Sequence, residues 1–200
     1  MASSQPSDYS RLAELLSYPE EETLATALEW VEAWTGVHPR PAALIRGWYE
    51  AVAEYELWQL QELYTRTFDL NPCCSLDIGY YLFGEDYQRG AFMAGVREQL
   101  DLVGIAADQE LPDHLPHILR WLETVYGSED HIEMVAECLL PVLVKMDQAF
   151  ASQEKPDDSK PHSANPYRAL LRALGLVLDA DIEALGIVLD EPVPATTGAI

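Results

Sequence analysis

Residues 41–68 read PAALIRGWYEAVAEYELWQLQELYTRTF, the longest stretch of helical pattern in the chain. Its apolar and aromatic side chains recur close to helical spacing, at Leu44, Trp48, Ala51, Tyr55, Trp58 and Tyr64. This spacing places them on one face of a helix, whereas a half-buried strand needs an apolar residue at every second position. We therefore predict one long helix here, preceded by a break at residues 36–41 and ended by the turn signal at residues 69–72.

The same pattern extends to both sides of this stretch. It predicts further helices at about residues 8–18, 20–34, 74–83, 85–103, 113–126, 129–150 and 165–178, and the chain shows no strand–helix–strand alternation. The fold class is therefore predicted as all-α, a single-domain bundle of about seven or eight helices. We expect a helical domain over residues 1–151, a mobile acidic linker rich in proline over 152–165, a C-terminal helix over 166–189 packed on the same domain, and a disordered tail over 190–200.

The composition is that of an acidic globular domain. The 200 residues are 48% hydrophobic, and 34 acids against 12 bases give a formal net charge of −22. Such a surface repels nucleic-acid phosphates and anionic lipids, so no nucleic-acid partner is expected. It attracts cationic partners such as a peptide carrying Arg or Lys, although the charge alone favours a role in solubility.

The cysteines and the N-terminus indicate a cytoplasmic protein. Cys73, Cys74 and Cys138 are an odd number of thiols in a chain with a full core, and we expect all three to be reduced and free of metal. A site built from Cys73, Cys74 and His114 would lack any recognised ligand spacing. Residues 1–8 have no apolar core of a signal peptide, and no apolar run is long enough to cross a bilayer, so stable membrane insertion is not expected.

No catalytic or cofactor motif is present in the sequence. It contains no phosphate-binding glycine loop, no nucleophile elbow, no HExxH and no CxxC. His131 lies near Asp130 and Glu133, but we expect this helix face to be solvated, and we expect the same of Asp77, Glu85 and Asp86. We predict no cofactor and no enzymatic activity. Two alternatives remain open: a small helical enzyme that uses His114 with Asp113 or Glu110, and a helical adaptor protein.

Residues 110–116, ELPDHLP, form the first candidate binding segment. Two prolines restrict the backbone around the pair Asp113-His114. We expect Asp113 to cap the helix that follows, with Pro116 in the first turn, where no amide hydrogen bond is lost. His114 has no structural duty in this interpretation and is expected to contact a ligand; the alternative is a histidine satisfied within the core. The rigid loop suits recognition of a cationic peptide through Glu110, Pro112, Asp113 and His114.

A second candidate segment ends the predicted long helix. Tyr64 and Phe68 are four residues apart, so they share one face, and Asp69 follows them at the helix end. The pattern by itself favours a place in the core for both rings. All three residues are nevertheless candidates for contact with a bound peptide.

Four short motifs, the third of them in two parts, indicate a family. In chain order they are residues 9–19 (YSRLAELLSYP), 64–69 (YTRTFD), 75–76 (SL), 83–90 (FGEDYQRG) and 110–116 (ELPDHLP). In order and spacing they resemble the NarJ type of molybdenum-cofactor assembly chaperone, the delta subunit of respiratory nitrate reductase. This group lies within the wider family of chaperones that serve molybdoenzymes of the DMSO-reductase type. The resemblance covers about residues 9–150.

The resemblance implies a helical, cytosolic and non-catalytic protein. Its partner would be the catalytic subunit of a molybdoenzyme, bound through an N-terminal segment that is a twin-arginine signal or its remnant. The chaperone would hold the apoenzyme competent for cofactor insertion before membrane docking or export. A nitrate reductase is the commonest client, and selenate, perchlorate and hydrocarbon oxidoreductases have similar chaperones. The wider family also contains domain-swapped dimers, so a monomer and a swapped dimer are both expected states.

Overall fold

A computed structural model describes residues 7–70, 74–107, 110–153 and 165–187. These ranges contain no strand, only one isolated bridge between Asp77 and His114. The all-α prediction is thereby confirmed. The first seven helices are α1 Ser7–Leu15, α2 Thr23–Trp34, α3 Pro39–Val52, α4 Leu57–Phe68, α5 Ile78–Phe83, α6 Tyr87–Leu102 and α7 Leu115–Thr124. The helix α8 runs without a break through Glu129–Glu133, Met134–Leu139 and Leu140–Gln153, and α9 is Tyr167–Ala184.

The prediction of one helix over residues 41–68 is wrong, because two helices occupy this stretch. The chain leaves α3 at Ala53, and Glu56 then adopts an extended conformation with φ −66° and ψ 153°. Glu56 and Gln59 form a reciprocal capping box, in which the Glu56 amide donates to Gln59 Oε1 at 2.8 Å. A capping box fixes a helix start, so α4 begins afresh at Leu57.

A π-helical turn interrupts α8 over Met134–Leu139. Pro141 follows it directly and has no amide hydrogen, and in a regular α-helix its ring would clash with the carbonyl of Glu137. At the end of the wide turn the Leu140 amide donates to the carbonyl of Val135, five residues earlier. The wider turn lets the helix pass the proline without ending.

Tyr167, at the start of α9, organises the aromatic part of the core. Its ring centroid lies 5.9 Å from that of Trp48, 5.8 Å from that of Tyr64 and 5.0 Å from that of Phe68. The side chain of Asn165 also holds the start of α9. Its Nδ2 donates to Thr67 Oγ1 at 2.7 Å, and its Oδ1 accepts from the backbone amide of Tyr167 at 3.1 Å. α9 thus joins α3 and α4, which are consecutive in the chain.

A buried polar network joins α1, α8 and α9, and it corrects the prediction that His131 faces solvent. Tyr9, His131 and Asp181 are each fully buried. The Tyr9 hydroxyl donates to Asp181 Oδ2 at 2.5 Å and lies 2.9 Å from His131 Nε2. Burial lowers the pKa of His131, against the opposing charge of Asp181, so the ring is neutral and its Nε2–H donates to the tyrosine oxygen. Tyr126 Oη donates to Asp181 Oδ1 at 3.3 Å.

Parts of the predicted domain plan lie outside the described residues. They include residues 154–164 of the predicted linker and all of the predicted tail at 190–200. α9 ends at Ala184, and Gly186 follows with a φ of 74°. Of the helices in the described ranges, none combines the length and apolar character that a bilayer crossing requires.

We predict that Tyr9→Phe costs about 1–3 kcal/mol of unfolding free energy. The change keeps the ring but removes the hydroxyl group. This hydroxyl donates a hydrogen bond to the buried carboxylate of Asp181 and accepts one from His131. Tyr87→Phe is the matched control, because Tyr87 is 83% exposed and its hydroxyl lies in water. Urea unfolding of both variants measures the difference, and an equal effect of the two changes would mean that the network contributes nothing to stability.

Candidate peptide-binding site

The candidate segment at residues 110–116 lies against the chain that enters α5. The Ile78 amide donates to the carbonyl of Asp113 at 3.0 Å, and the Leu115 amide donates to the carbonyl of Leu76 at 2.8 Å. This pair of bonds closes the isolated bridge between Asp77 and His114. The chain entering α5 and the chain entering α7 are therefore held side by side.

Asp113 is fully buried and stabilises α5, the helix across the bridge, which corrects its predicted role as cap of the helix that follows it. The N-cap residue of α7 is His114. Asp113 Oδ2 accepts from the Gly79 amide at 3.2 Å and from Arg89 Nε at 3.1 Å. A Cβ on residue 79 would lie 2.5 Å from that oxygen, so only glycine permits this approach.

Asp77 is a quarter exposed and ion-paired, and so the prediction of a freely exposed helix acid is wrong for this residue. Its Oδ2 accepts from Arg89 Nη2 at 3.1 Å, and its Oδ1 lies 3.5 Å from His114 Nδ1. Burial by itself would raise the pKa of Asp77, but the contacts with His114 and Arg89 outweigh it and the pKa is lowered. Arg89 therefore bridges two carboxylates, that of Asp77 before α5 and that of Asp113 before α7. Glu85 and Asp86 are exposed, as predicted.

His114 is held by the structure rather than free. Its residue is 7% exposed, and the ring contacts Asp77 on one side and lies 5.7 Å from the ring of His117 on the other. At 3.5 Å the contact between His114 Nδ1 and Asp77 Oδ1 is too long for a well-formed hydrogen bond. The expectation that His114 has no structural duty is therefore corrected. Only an edge of the imidazole is accessible to a ligand.

Asp69 and Glu110 are the exposed acids of the site. Burial raises the pKa of Asp69, and the nearby charges of Glu110 and Asp77 raise it further, while His114 opposes them. This mutual influence shows that acids from the end of α4, the start of α5 and the loop before α7 lie close together. We call Asp69, Asp77 and Glu110 the acidic rim.

The other sequence candidates lie in the interior. Tyr64 and Phe68 are 3% and 5% exposed, and their rings pack against Tyr167. Pro112 is buried as well. Burial raises the pKa of Tyr64, with the charges of Asp69 and Glu110 adding to the effect, so its hydroxyl stays protonated. These three side chains position the rim and do not present a surface of their own.

An apolar groove of about 290 Å³ lies next to the bridged segments. We call it the α6 groove; Ala91, Phe92, Gly95, Val96 and Gln99 of α6 line it together with Trp121 of α7 and Met134 of α8. Phe92 connects it to the site, because a Cβ on Gly79 would lie 3.2 Å from the Phe92 ring. The sequence motifs did not reveal this groove. The available signal was the run of small residues on α6, at Gly90, Ala91, Ala94 and Gly95.

Neither of the two described thiols, Cys74 and Cys138, takes part in the site. Cys74 is buried, and the Tyr81 hydroxyl lies 3.5 Å from its sulfur. Burial and then the charges of Glu137 and Glu133 raise the pKa of Cys138 to about 11, so this thiol is protonated at neutral pH. Cys73 lies outside the described residues. Within the described ranges no three His, Cys, Asp or Glu side chains form a group that could hold a metal ion.

The fold and the site define a class: an all-helical protein in which an acidic rim adjoins an apolar groove. The fold is similar to a crystal structure described as a candidate redox enzyme maturation protein from Archaeoglobus fulgidus. The TM-score is 0.58 at 17% identity, covering 90% of this chain and 96% of that one.

Sequence comparison then gives the family. Residues 39–173 match the model of the family described as nitrate reductase delta subunit. The chain is 30% identical, over 170 residues, to a Bacillus subtilis protein described as a probable nitrate reductase molybdenum cofactor assembly chaperone, NarJ; this match covers 84% of the chain and 90% of that relative. The chain belongs to the nitrate reductase delta subunit family and is a NarJ-type chaperone, not an enzyme.

We predict that Asp113→Ala lowers the free energy of unfolding by about 3 kcal/mol or more, the scale for breaking a buried ion pair. The change removes the acceptor of the Gly79 amide and leaves Arg89 with Asp77 alone. Asp86→Ala is the control, because Asp86 caps α6 at the exposed surface by accepting from the Gln88 amide. Loss of such a cap costs about 1 kcal/mol. Equal costs in chemical denaturation would show that Asp113 is an ordinary helix cap.

Proposed function

We propose that this chaperone binds the N-terminal segment of the catalytic subunit of a molybdoenzyme, a respiratory nitrate reductase, in the cytoplasm. It would keep the apoenzyme competent for molybdenum cofactor insertion before membrane docking or export. The observation that carries the proposal is the acidic rim beside the α6 groove. The proposal requires no cofactor on the chaperone itself and needs only a monomer.

The groove suits one face of an amphipathic helix. Phe92, Val96 and Trp121 supply apolar contact, while Ala91 and Gly95 leave room for a close approach. The α6 residues that line the groove run from Ala91 to Gln99, about 12 Å of helix, which matches a little over two turns of a bound helix. Helix-in-groove binding of this kind gains its free energy mainly from buried apolar area.

The rim supplies the charge complement for a basic peptide. Arg89 compensates Asp77 and Asp113, whereas no Lys or Arg in the described part of the chain pairs with Asp69 or Glu110. These two exposed acids are available to an Arg or Lys of the peptide. The net charge of −22 attracts the same peptide at longer range and raises its encounter rate. The rim would therefore set the orientation of a helix whose apolar face lies in the groove.

Filling the groove tests the binding site. Gly95 lines the α6 groove, and a Cβ there has no atom within 4 Å, so Gly95→Leu fills the groove without a clash. We expect about tenfold weaker binding, or 1.4 kcal/mol, of a peptide of the first 20 or so residues of a nitrate reductase catalytic subunit. Calorimetric titration measures the affinity. Tighter binding of a peptide from another molybdoenzyme in the same assay would identify that enzyme as the client.

Gly90→Leu is the matched control for this experiment. Gly90 lies on the same helix with equally open space and does not line the groove. Both changes replace a helical glycine and should raise stability by about 0.5–1 kcal/mol. Affinity that falls equally in both variants, or in neither, contradicts binding in the α6 groove.

The rim is tested separately by salt. We expect Glu110→Gln to weaken peptide binding at low ionic strength and to reduce the loss of affinity between 0.05 and 0.5 M salt, because one screened attraction has been removed. Glu32→Gln, an exposed acid on α2, makes the same change in net charge and should alter neither value appreciably. Identical salt profiles for the two variants would show that only the overall charge attracts the peptide.

A further inference from the structure

A second groove lies between α3, α8 and α9 and shares no lining residue with the α6 groove. Its volume is about 640 Å³. Its apolar side chains include Leu44, Leu140, Val144 and Leu176, and Val144 is 58% exposed. We call it the α9 groove. An apolar groove on a highly charged surface favours a docked segment, and neither the sequence motifs nor the proposed client site supplies one.

The charged side chains at the α9 groove balance one another. Arg40 and Arg172 line it, and so do Asp147 and Asp179. Asp147 accepts from Arg172 Nε at 2.6 Å and from Arg172 Nη2 at 3.1 Å, so this pair is already neutralised. Because the lining has no excess of either sign, charge recruits neither a basic nor an acidic segment. The groove suits an uncharged segment with apolar side chains, since an unpaired charge buried there would be costly.

The chain itself contains such a segment. Residues 192–200, PVPATTGAI, form its longest run without Asp, Glu, Lys or Arg, and no other such run exceeds seven residues. The run begins just beyond Asp190-Glu191 and lies outside the described residues. Val193 stands between two prolines, whose rings fix φ and favour an extended backbone. A backbone restricted in this way loses less conformational entropy when it docks.

The end of α9 brings this segment within reach of the groove. The Ile187 amide donates to the carbonyl of Ile182 at 3.2 Å, and Gly186 has a φ of 74°, so the chain turns back at the helix end. Asp179 is the last groove residue on α9, and Ile187 lies about 12 Å further along, at 1.5 Å per residue. Residues 188–191 cover about the same distance when extended, at about 3.1 Å per residue.

The length of the groove matches the start of the uncharged run. On both α8 and α9 the lining residues span nine positions, about 12 Å of helix. Residues 192–195, PVPA, also span about 12 Å in an extended polyproline-like conformation. Gly175 keeps the α9 wall open, because it has no side chain and a Cβ there would meet only Leu143 Cδ1, at 3.9 Å. Val193 therefore has room to enter.

We infer that the α9 groove is the docking site of the chain's own C-terminal segment, with residues 188–191 as the connection and residues 192–195 in the groove. Val193 would cover apolar surface that includes Val144. A short connection gives the segment an effective concentration in the millimolar range, so even a weak contact is populated. The inference is independent of the proposed client site, because the two grooves share no residue. The alternative is the disordered tail expected from sequence.

Removal of the segment is the first test. The full chain and a chain that ends at Ile187 are isotopically labelled and compared by methyl NMR. We expect truncation to shift the resonances of Leu140, Val144 and Leu176 and to leave those of Leu102, which is exposed on α6, unshifted. Unchanged resonances at the groove would overturn the inference, because the groove would then be open in the full chain.

Filling the groove tests the same contact in the full chain. Gly175→Leu places a side chain in the groove, and Gly47→Leu is the matched control, an exposed glycine of α3 with open space that does not line it. The heteronuclear NOE of the Val193 and Ala195 amides reports order on the nanosecond scale. We expect values of a rigid backbone in the wild type and in Gly47→Leu, and their loss in Gly175→Leu. Values of a free tail in the wild type, or equal values in both variants, contradict docking.

A peptide of residues 188–200 separates docking within one chain from exchange between chains. Added to the truncated chain, it should return the groove resonances to their full-chain positions. The same peptide with Val193→Asp should bind at least about tenfold more weakly, because it brings a charge to apolar surface. Equal binding of the two peptides would show that Val193 does not enter the groove. Groove resonances of the full chain that change with protein concentration would identify the segment of a second copy as the occupant, and intramolecular docking would be wrong.

Discussion

The buried carboxylate of Asp113 is the constraint on which the candidate site depends. One oxygen holds both the second amide of α5 and the side chain of Arg89 on α6. The same residue's carbonyl accepts the amide of Ile78. Since a buried carboxylate is costly unless it is paired and hydrogen-bonded, α5, α6 and the loop before α7 must keep their relative positions for Asp113 to be tolerated. The acidic rim and the adjoining end of the α6 groove are positioned by that requirement.

Most of the fold was predictable because helical spacing is local. Leu12, Leu15 and Leu16 share one face of the first helix by their spacing, and all three are buried. The break between α3 and α4 was not predicted, because the aromatic pattern continues across it. Its signal is the pair Glu56 and Gln59, which caps a helix with Glu in place of the usual Ser or Thr.

The site was predictable only in part, because long-range contacts decide it. The motifs at residues 64–69 and 110–116 were both predicted to contact a bound peptide, and this stays a prediction, but burial changes what their side chains do. Asp113 bonds to Gly79, 34 residues away, and His131 contacts Tyr9, 122 residues away. Next to His131 in the chain stand Asp130, which is exposed, and Ile132, which is partly buried; nothing in that local sequence reveals a buried imidazole. A polar residue on an apparently solvated face can be read as buried only when its distant partner is known.

Two ion clusters of opposite composition fix arginine side chains in this acidic chain. In a chain with 34 acids and 12 bases, an exposed arginine has many competing partners, and only a well-formed or buried pair fixes its position. Arg89 is fixed between two aspartates, Asp77 and Asp113, which leaves that end of the molecule negative. Asp147 is fixed between two arginines, Arg168 and Arg172. One arginine with two acids thus ties α6 to the segments before α5 and α7, and one acid with two arginines ties α8 to α9.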